Sequence, residues 1–508
     1  MLVASATACS PAPQQADLAG GAASLVSLES RPKSEAAIRN FCGGCHDVPR
    51  ADRFEKSRWH EEVAQGFRLY RQSMRTDLVP TDFDSTLAYF ADRAPENIPI
   101  DPPDRILDRR FKAIDLKWSE PISIQAISSL NAIEADDPSS SSLLLTDMGS
   151  GIVAKVRPTG TSASQLSGHV PESLSFDVLM QAAHVARTSQ ADLDGDGRPD
   201  WIVADLGTAS PQTEQEGSVW WINSDGQQLP LRLGLSRVAE AKPFDYDGDG
   251  DQDVLVGDFG LHFEGGIYVG LNQGLVTGRP QMDWRRLDAR PGAISFEVVD
   301  INQDGLMDYV TLISQHYEMI EVHLNQGNGV FESRVVFHAK DAAYGSSSFT
   351  AVDFDHDGDT DFVYTNGDTF DDSLAKPFHG IQWFENRGVY PFTPHRVGWM
   401  PGCYCAKPAD FDGDGDHDVI AVALLKRKEI NRYSPKTFDG VAWFEQLESG
   451  EFRSHTMLTD ICDAATCCVV DWNHDGWSDV LIPAWPSKDS IASDDVGQTL
   501  RLYLNQGR

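Results

Sequence analysis

The chain has 508 residues, 41% hydrophobic and 9% aromatic, with a net charge of −35. That is long enough for a large core and more than one domain, with the composition of a folded globular protein. So acidic a chain repels phosphates, which argues against nucleic acid as a partner and suits cation binding; no run of 18 apolar residues suggests a membrane-spanning helix.

Residues 1–30 open with Met-Leu-Val-Ala-Ser-Ala-Thr-Ala-Cys9-Ser and continue rich in Ala, Ser, Gly and Pro. Small residues before Cys9 resemble the end of a bacterial lipoprotein signal, which implies export to the periplasm or cell surface and a lipid anchor on Cys9. The plainer alternative is an unstructured tail with an incidental cysteine. The residues that follow Cys9 read as a tether.

Residues 31–100 read as a small helical domain. Ser34–Asn40 leads into a cysteine pair, and Trp59–Met74 and Asp82–Arg93 are amphipathic. Between them lies Cys42-Gly-Gly-Cys45-His46, a C-x-x-C-H pattern of the kind that attaches haem c: the thiols bond the vinyls and the histidine ligates iron. A redox disulfide or half of a zinc site are the other readings. The region resembles a small cytochrome c domain. That resemblance implies covalent haem c on Cys42, Cys45 and His46, with Met74 as the sixth ligand and His60, or no ligand, as the alternatives. Pro95, Pro99, Pro102 and Pro103 then mark a stiff linker over 101–114.

From residue 115 short β-rich runs take over, and one nine-residue segment recurs six times. With positions 1, 3, 5, 7 and 9 named, the copies are Asp192, Asp194, Asp196, Arg198 and Asp200; Asp245, Asp247, Asp249, Asp251 and Asp253; Asp300, Asn302, Asp304, Leu306 and Asp308; Asp353, Asp355, Asp357, Asp359 and Asp361; Asp410, Asp412, Asp414, Asp416 and Asp418; and Asp471, Asn473, Asp475, Trp477 and Asp479. Starts fall 53, 55, 53, 57 and 61 residues apart, a period that suits a four-stranded blade. A strand in fixed phase with each copy, such as Gly266-Ile-Tyr-Val-Gly-Leu-Asn272, has a seventh relative at Gly151-Ile-Val-Ala-Lys-Val156. The expected fold is therefore mainly β: a seven-bladed propeller over 115–508, its first blade without an acidic loop, preceded by a small all-α domain.

Calcium takes six to eight hard oxygen ligands. Positions 1, 3, 5 and 9 supply short oxygen-bearing side chains, and position 7 varies as a backbone-carbonyl ligand would. Position 6 is Gly in every copy, where a sharp turn needs φ > 0. The six loops carry 25 acidic residues, whose mutual repulsion a bound cation relieves. Up to six Ca²⁺ are expected, against the alternative of acidic turns that bind nothing. These repeats resemble the FG-GAP or VCBS type of integrin α-subunits and many secreted bacterial proteins, which implies a calcium-binding propeller but not one function.

Cys405 and Cys467 precede consecutive acidic loops on equivalent strands, so a cross-blade disulfide is expected there, with Cys403–Cys462 as a second pair; a copper or other soft-metal site built from these thiols and Cys468 is the alternative. No catalytic residue is identified: hydrolytic and phosphoryl-transfer motifs are absent, and His184, His262 and His316 read as structural. The expected function is electron transfer by an exported haem protein, acting with a redox partner protein or within a periplasmic oxidoreductase, the propeller serving as docking or substrate platform. The alternative is an adhesion-type propeller that binds a polysaccharide or a cell-surface protein, with the haem as an accessory.

Overall fold

The computed structural model describes residues 32–100, 105–120, 126–133, 142–159, 170, 173–208, 215–261, 263–370, 373–433, 437–484 and 500–507. Residues 1–31 with Cys9, on which the export expectation rests, lie outside these, as do Pro102, Pro103, His262 and residues 134–141. Among the described residues no helix is long and apolar enough to cross a membrane.

Three helices form the small domain: α1 (Glu35–Cys42), α2 (Trp59–Gln72) and α3 (Phe83–Ala91). Ser34 caps α1 by accepting the Ala37 N–H at 3.3 Å, and Asp82 caps α3 by accepting that of Ser85 at 3.0 Å. α2 buries Trp59, Val63 and Phe67, four residues apart, against Ile38, Phe41, Phe54 and Phe90. Trp59 stacks on Phe90 with ring centres 4.3 Å apart.

The rest of the chain is mainly β and propeller-like, built of antiparallel four-stranded meanders. In chain order the first six are Ile127–Ile133, Ser142–Asp147, Ile152–Pro158 and Ser173–Gln181; Val185–Ala191, Asp200–Asp205, Gly217–Ile222 and Gln228–Leu235; Val238–Phe244, Asp253–Leu261, Glu264–Val276 and Arg279–Asp288; Ala293–Val299, Asp308–Ile313, Met319–Asn325 and Phe331–His338; Ser346–Val352, Asp361–Asn366, Gly380–Glu385 and Thr393–Trp399; and Cys403–Ala409, Asp418–Ala423, Asp439–Gln446 and Phe452–Thr459. The seventh joins Cys468–Val470, Asp479–Pro483 and Leu500–Asn505 to Phe111–Trp118 from the other end of the chain. First strands of successive meanders pack side by side, and that of the seventh packs against that of the first. Second strands such as Asp200–Asp205 and Asp418–Ala423 are buried at every residue, because neighbouring meanders cover both faces.

The β region begins earlier than residue 115. Ile106–Leu107 adds a parallel fifth strand to the sixth meander, beside His455 and Thr456. Phe111 pairs with Asn505 and Leu116 with Leu500. Much of the stretch read as a linker is therefore sheet, because Phe111–Trp118 serves as the fourth strand of the seventh meander.

The helical domain is docked on the β region. Asp47 pairs with His338 at 3.0 Å, Glu55 with Arg432 at 2.7 Å, and Arg53 with the buried Asp341. The Arg53 guanidinium also lies over the Phe378 ring at 4.1 Å, and Ile100 is buried in the core of the fifth and sixth meanders.

Candidate functional site

Each acidic loop joins the first strand of its meander to the second, with position 9 opening the second strand. Gly at position 6 has φ between 80 and 103° in all six copies, as the turn requires. Its N–H donates to the position-1 carboxylate at 2.9–3.2 Å. The position-7 N–H donates to the position-5 carboxylate at 2.8–3.1 Å. Six different sequences thus close the same loop.

Position 9 is buried and holds two elements together. One oxygen accepts the position-2 N–H at 2.9–3.2 Å. The other accepts the N–H of Ser224, Asn272, Asn325, Asn386, Gln446 or Asn505, on or just past the third strand, at 2.6–2.9 Å. Burial pushes Asp253 and Asp361 up to about 6 and Asp418 and Asp479 up to about 7.

Four loops bring three carboxylates within 4.8 Å of one another: Asp192, Asp194 and Asp200; Asp245, Asp247 and Asp253; Asp353, Asp355 and Asp357; and Asp410, Asp412 and Asp418. These clusters can hold a hard cation. The fit is supported by buried carboxylate oxygens with no hydrogen-bond partner, namely Asp247 Oδ1, Asp251 Oδ1 and Asp353 Oδ1. Asp251 rises to about 6, first through burial and then through Asp249, Asp247 and Asp245. In the other two loops position 3 is Asn302 or Asn473, whose Nδ2 donates to Asp304 or Asp475 at 2.9 Å. Of the position-7 side chains, Arg198 pairs with Asp196 and Asp225, while Leu306 is exposed. The loop-free status expected of the first meander falls on residues 134–141, outside the described residues.

Sequence reasoning missed position 4. It too has positive φ in every copy: Gly195, Gly248 and Gly413, but also Gln303 at 59°, His356 at 60° and His474 at 55°. Two of these side chains reach the next loop. Gln303 Nε2 donates to the Gly358 carbonyl at 2.8 Å, and His356 Nε2 to that of Gly415 at 3.1 Å. The recurrent Gly or polar residue at that position was the available signal.

In the helical domain Cys42 and Cys45 are free, half-buried thiols, and burial pushes Cys42 up to about 11. Arg75 Nη1 donates to the Gly44 carbonyl at 2.6 Å and to Cys45 Sγ at 3.4 Å. His46 Nδ1 donates to the Asp47 carbonyl at 2.7 Å, which leaves Nε2 as the coordinating atom. The ring beside His46 is His316, 5.5 Å away and nearly parallel. Met74 is 82% exposed in the turn after α2, and His60 is exposed against Phe83. Their placement favours neither as an iron ligand.

Cys405 and Cys467 do meet, with sulfurs 3.9 Å apart and unbonded. Cys403 and Cys462 share an apolar core and are likewise free, and Cys468 lies in a different core.

No curated protein matches the chain. Two overlapping stretches, residues 245–311 and 300–364, match the model of a family described as an FG-GAP-like repeat, and they contain the second, third and fourth acidic loops.

Proposed function

We propose that this chain is a calcium-stabilised binding module: a closed propeller of seven blades that recognises a polysaccharide or a cell-surface protein. The four three-carboxylate clusters carry the metal part of this reading. Positions 1, 3, 5 and 9 would hold the ion, with the position-7 carbonyl, and the ion would cancel loop charge and stiffen the rim. Side-by-side first strands from the first meander to the seventh and back support ring closure. The match to FG-GAP-like repeats favours a binding role. Export to the periplasm or cell surface, with Cys9 as a lipid anchor, belongs to the same proposal. Affinity electrophoresis through gels containing neutral or acidic polysaccharides, in calcium and in EDTA, tests it. Calcium-dependent retardation is expected; equal mobility in every gel removes the carbohydrate arm and leaves a protein ligand.

A second reading rests on His46, whose Nδ1–H is held by the Asp47 carbonyl so that Nε2 is free to ligate. Cys42 and Cys45 would bond a haem c, which supplies one-electron redox chemistry, and the docked helical domain would pass electrons to a redox partner protein, as a periplasmic oxidoreductase component does. A pyridine haemochrome spectrum of protein made with haem-maturation machinery decides this. Absence of covalent haem eliminates the electron-transfer reading and leaves the binding module intact.

A further inference from the structure

The first strands of the meanders surround a central cavity of about 390 Å³. Cys405 and Cys467 both line it, Cys405 on the first strand of the sixth meander and Cys467 just ahead of that of the seventh. They are 7% and 1% exposed, with sulfurs 3.9 Å apart. Cys403 and Cys462 sit instead in an apolar core, where burial pushes both thiols up and makes them inert.

The cavity wall is charged. Arg187 pairs with Glu240 at 2.8 Å, and Lys242 with Glu297 at 2.8 Å. Lys407 lies two residues beyond Cys405 on the same strand, hence on the same face. It donates to Thr350 Oγ1 at 3.1 Å, and among the described residues no carboxylate lies within ion-pair distance of it. Glu297, the acid that acts on Lys407 from the same wall, is ion-paired with Lys242, so the Lys407 ammonium disfavours a metal cation at the thiols and favours a thiolate.

We propose that Cys405 and Cys467 are a redox-active pair that closes into a disulfide across two meanders by exchange with a low-molecular-weight disulfide entering the cavity. Cys405 is the attacking sulfur: the Cys467 thiol donates to it from 3.9 Å and Lys407 stands on the same face of its strand, both favouring its thiolate against the opposing effect of burial. The Cys405 thiolate attacks one sulfur of the incoming disulfide and expels one thiolate. Cys467 then loses its proton, attacks the Cys405 sulfur of the mixed disulfide and expels the second. Two protein thiols are oxidised, one small disulfide is reduced to two thiols, and the bond ties the sixth meander to the one that Phe111–Trp118 completes.

The test is incubation of the calcium-loaded full chain with oxidised glutathione, then alkylation and peptide mapping. The expected result is loss of two alkylatable thiols, at Cys405 and Cys467, in one cross-linked peptide pair with two glutathiones released per chain. Cys405→Ser should leave Cys467 unlinked. Lys407→Met should slow closure about tenfold at neutral pH with the same product. Both thiols still alkylatable after prolonged incubation of the wild type, or a link through other cysteines, overturns the proposal; closure by Lys407→Met at the wild-type rate overturns the part given to Lys407.

Discussion

Asn272 donates its Nδ2 to the carbonyl of Leu193, 3.0 Å away in the acidic loop of the preceding meander. The same link recurs from Asn386 to Ile301 at 3.4 Å and from Asn505 to Phe411 at 2.8 Å. Each Asn also offers its backbone N–H to the position-9 Asp of its own meander. One residue therefore fastens two loops. Asn272→Ala should lower stability by roughly 1–2 kcal/mol, because it strands a buried carbonyl. Urea denaturation reads this; an unchanged midpoint would show that the link carries no load.

Metal removal should act loop by loop. In the second loop Asp247→Asn should lower the melting temperature in calcium. In EDTA it should raise it or leave it unchanged, because one repelling carboxylate is gone. Calcium at a hundred times its Kd contributes about 2.7 kcal/mol per site. Differential scanning calorimetry with and without chelator checks that the loss is confined to calcium, and a melting temperature indifferent to chelator rejects calcium as the stabilising ion.

His323 supplies a pH dependence. Its ring stacks on Tyr309 with centres 4.2 Å apart, and Nδ1 bonds Ser333 Oγ at 2.8 Å. Burial, with Arg290 nearby, lowers its pKa to about 4, while Asp288 pulls the other way. A depressed histidine keeps its full contribution above the unfolded value near 6.5 and loses it as pH falls through 4. Up to about 3 kcal/mol should disappear over that window. His323→Gln should flatten the stability profile between pH 7 and 4; an unaltered slope assigns the acid sensitivity elsewhere.

Arg53, largely buried where the helical domain meets the sheets, should matter to the docking of the two. It pairs with Asp341, whose side chain is fully buried, and covers Phe378. Arg53→Ala leaves that carboxylate without its cation, a change that costs roughly 3 kcal/mol in comparable buried pairs. Limited proteolysis should then cut between the helical domain and the sheets before the sheets themselves. Protection equal to wild type would mean that Asp47–His338 and Glu55–Arg432 suffice.

The acidic loops were legible because local chemistry specifies them: a carboxylate accepting an N–H five residues on, and a Gly with positive φ, appear in the chain as spacing. The helical runs read from Ser34 and Asp82 begin on residues that the structure shows to be caps. What the sequence hid were contacts between distant segments. Phe111–Trp118 looked like the exit of a linker because its partner, Leu500–Asn505, lies at the far end of the chain. Met74 looked like a ligand by spacing, yet the turn after α2 leaves it in water. At position 4 only the Gly copies hinted at positive φ; in the others Gln303 and His356 are held by bonds to the following loop.

The strand Phe111–Trp118 also sets a timetable. Asp115 and Arg501, partners across its ladder, are 386 positions apart. At ribosomal speeds of about 5–20 residues per second, the first waits roughly 20–80 s for the second to be made. Until then the strand has an unpaired edge and the seventh meander is incomplete. A chain truncated before Leu500 would keep both, offering proteases and holding chaperones an open seam by which to tell an unfinished molecule from a finished one.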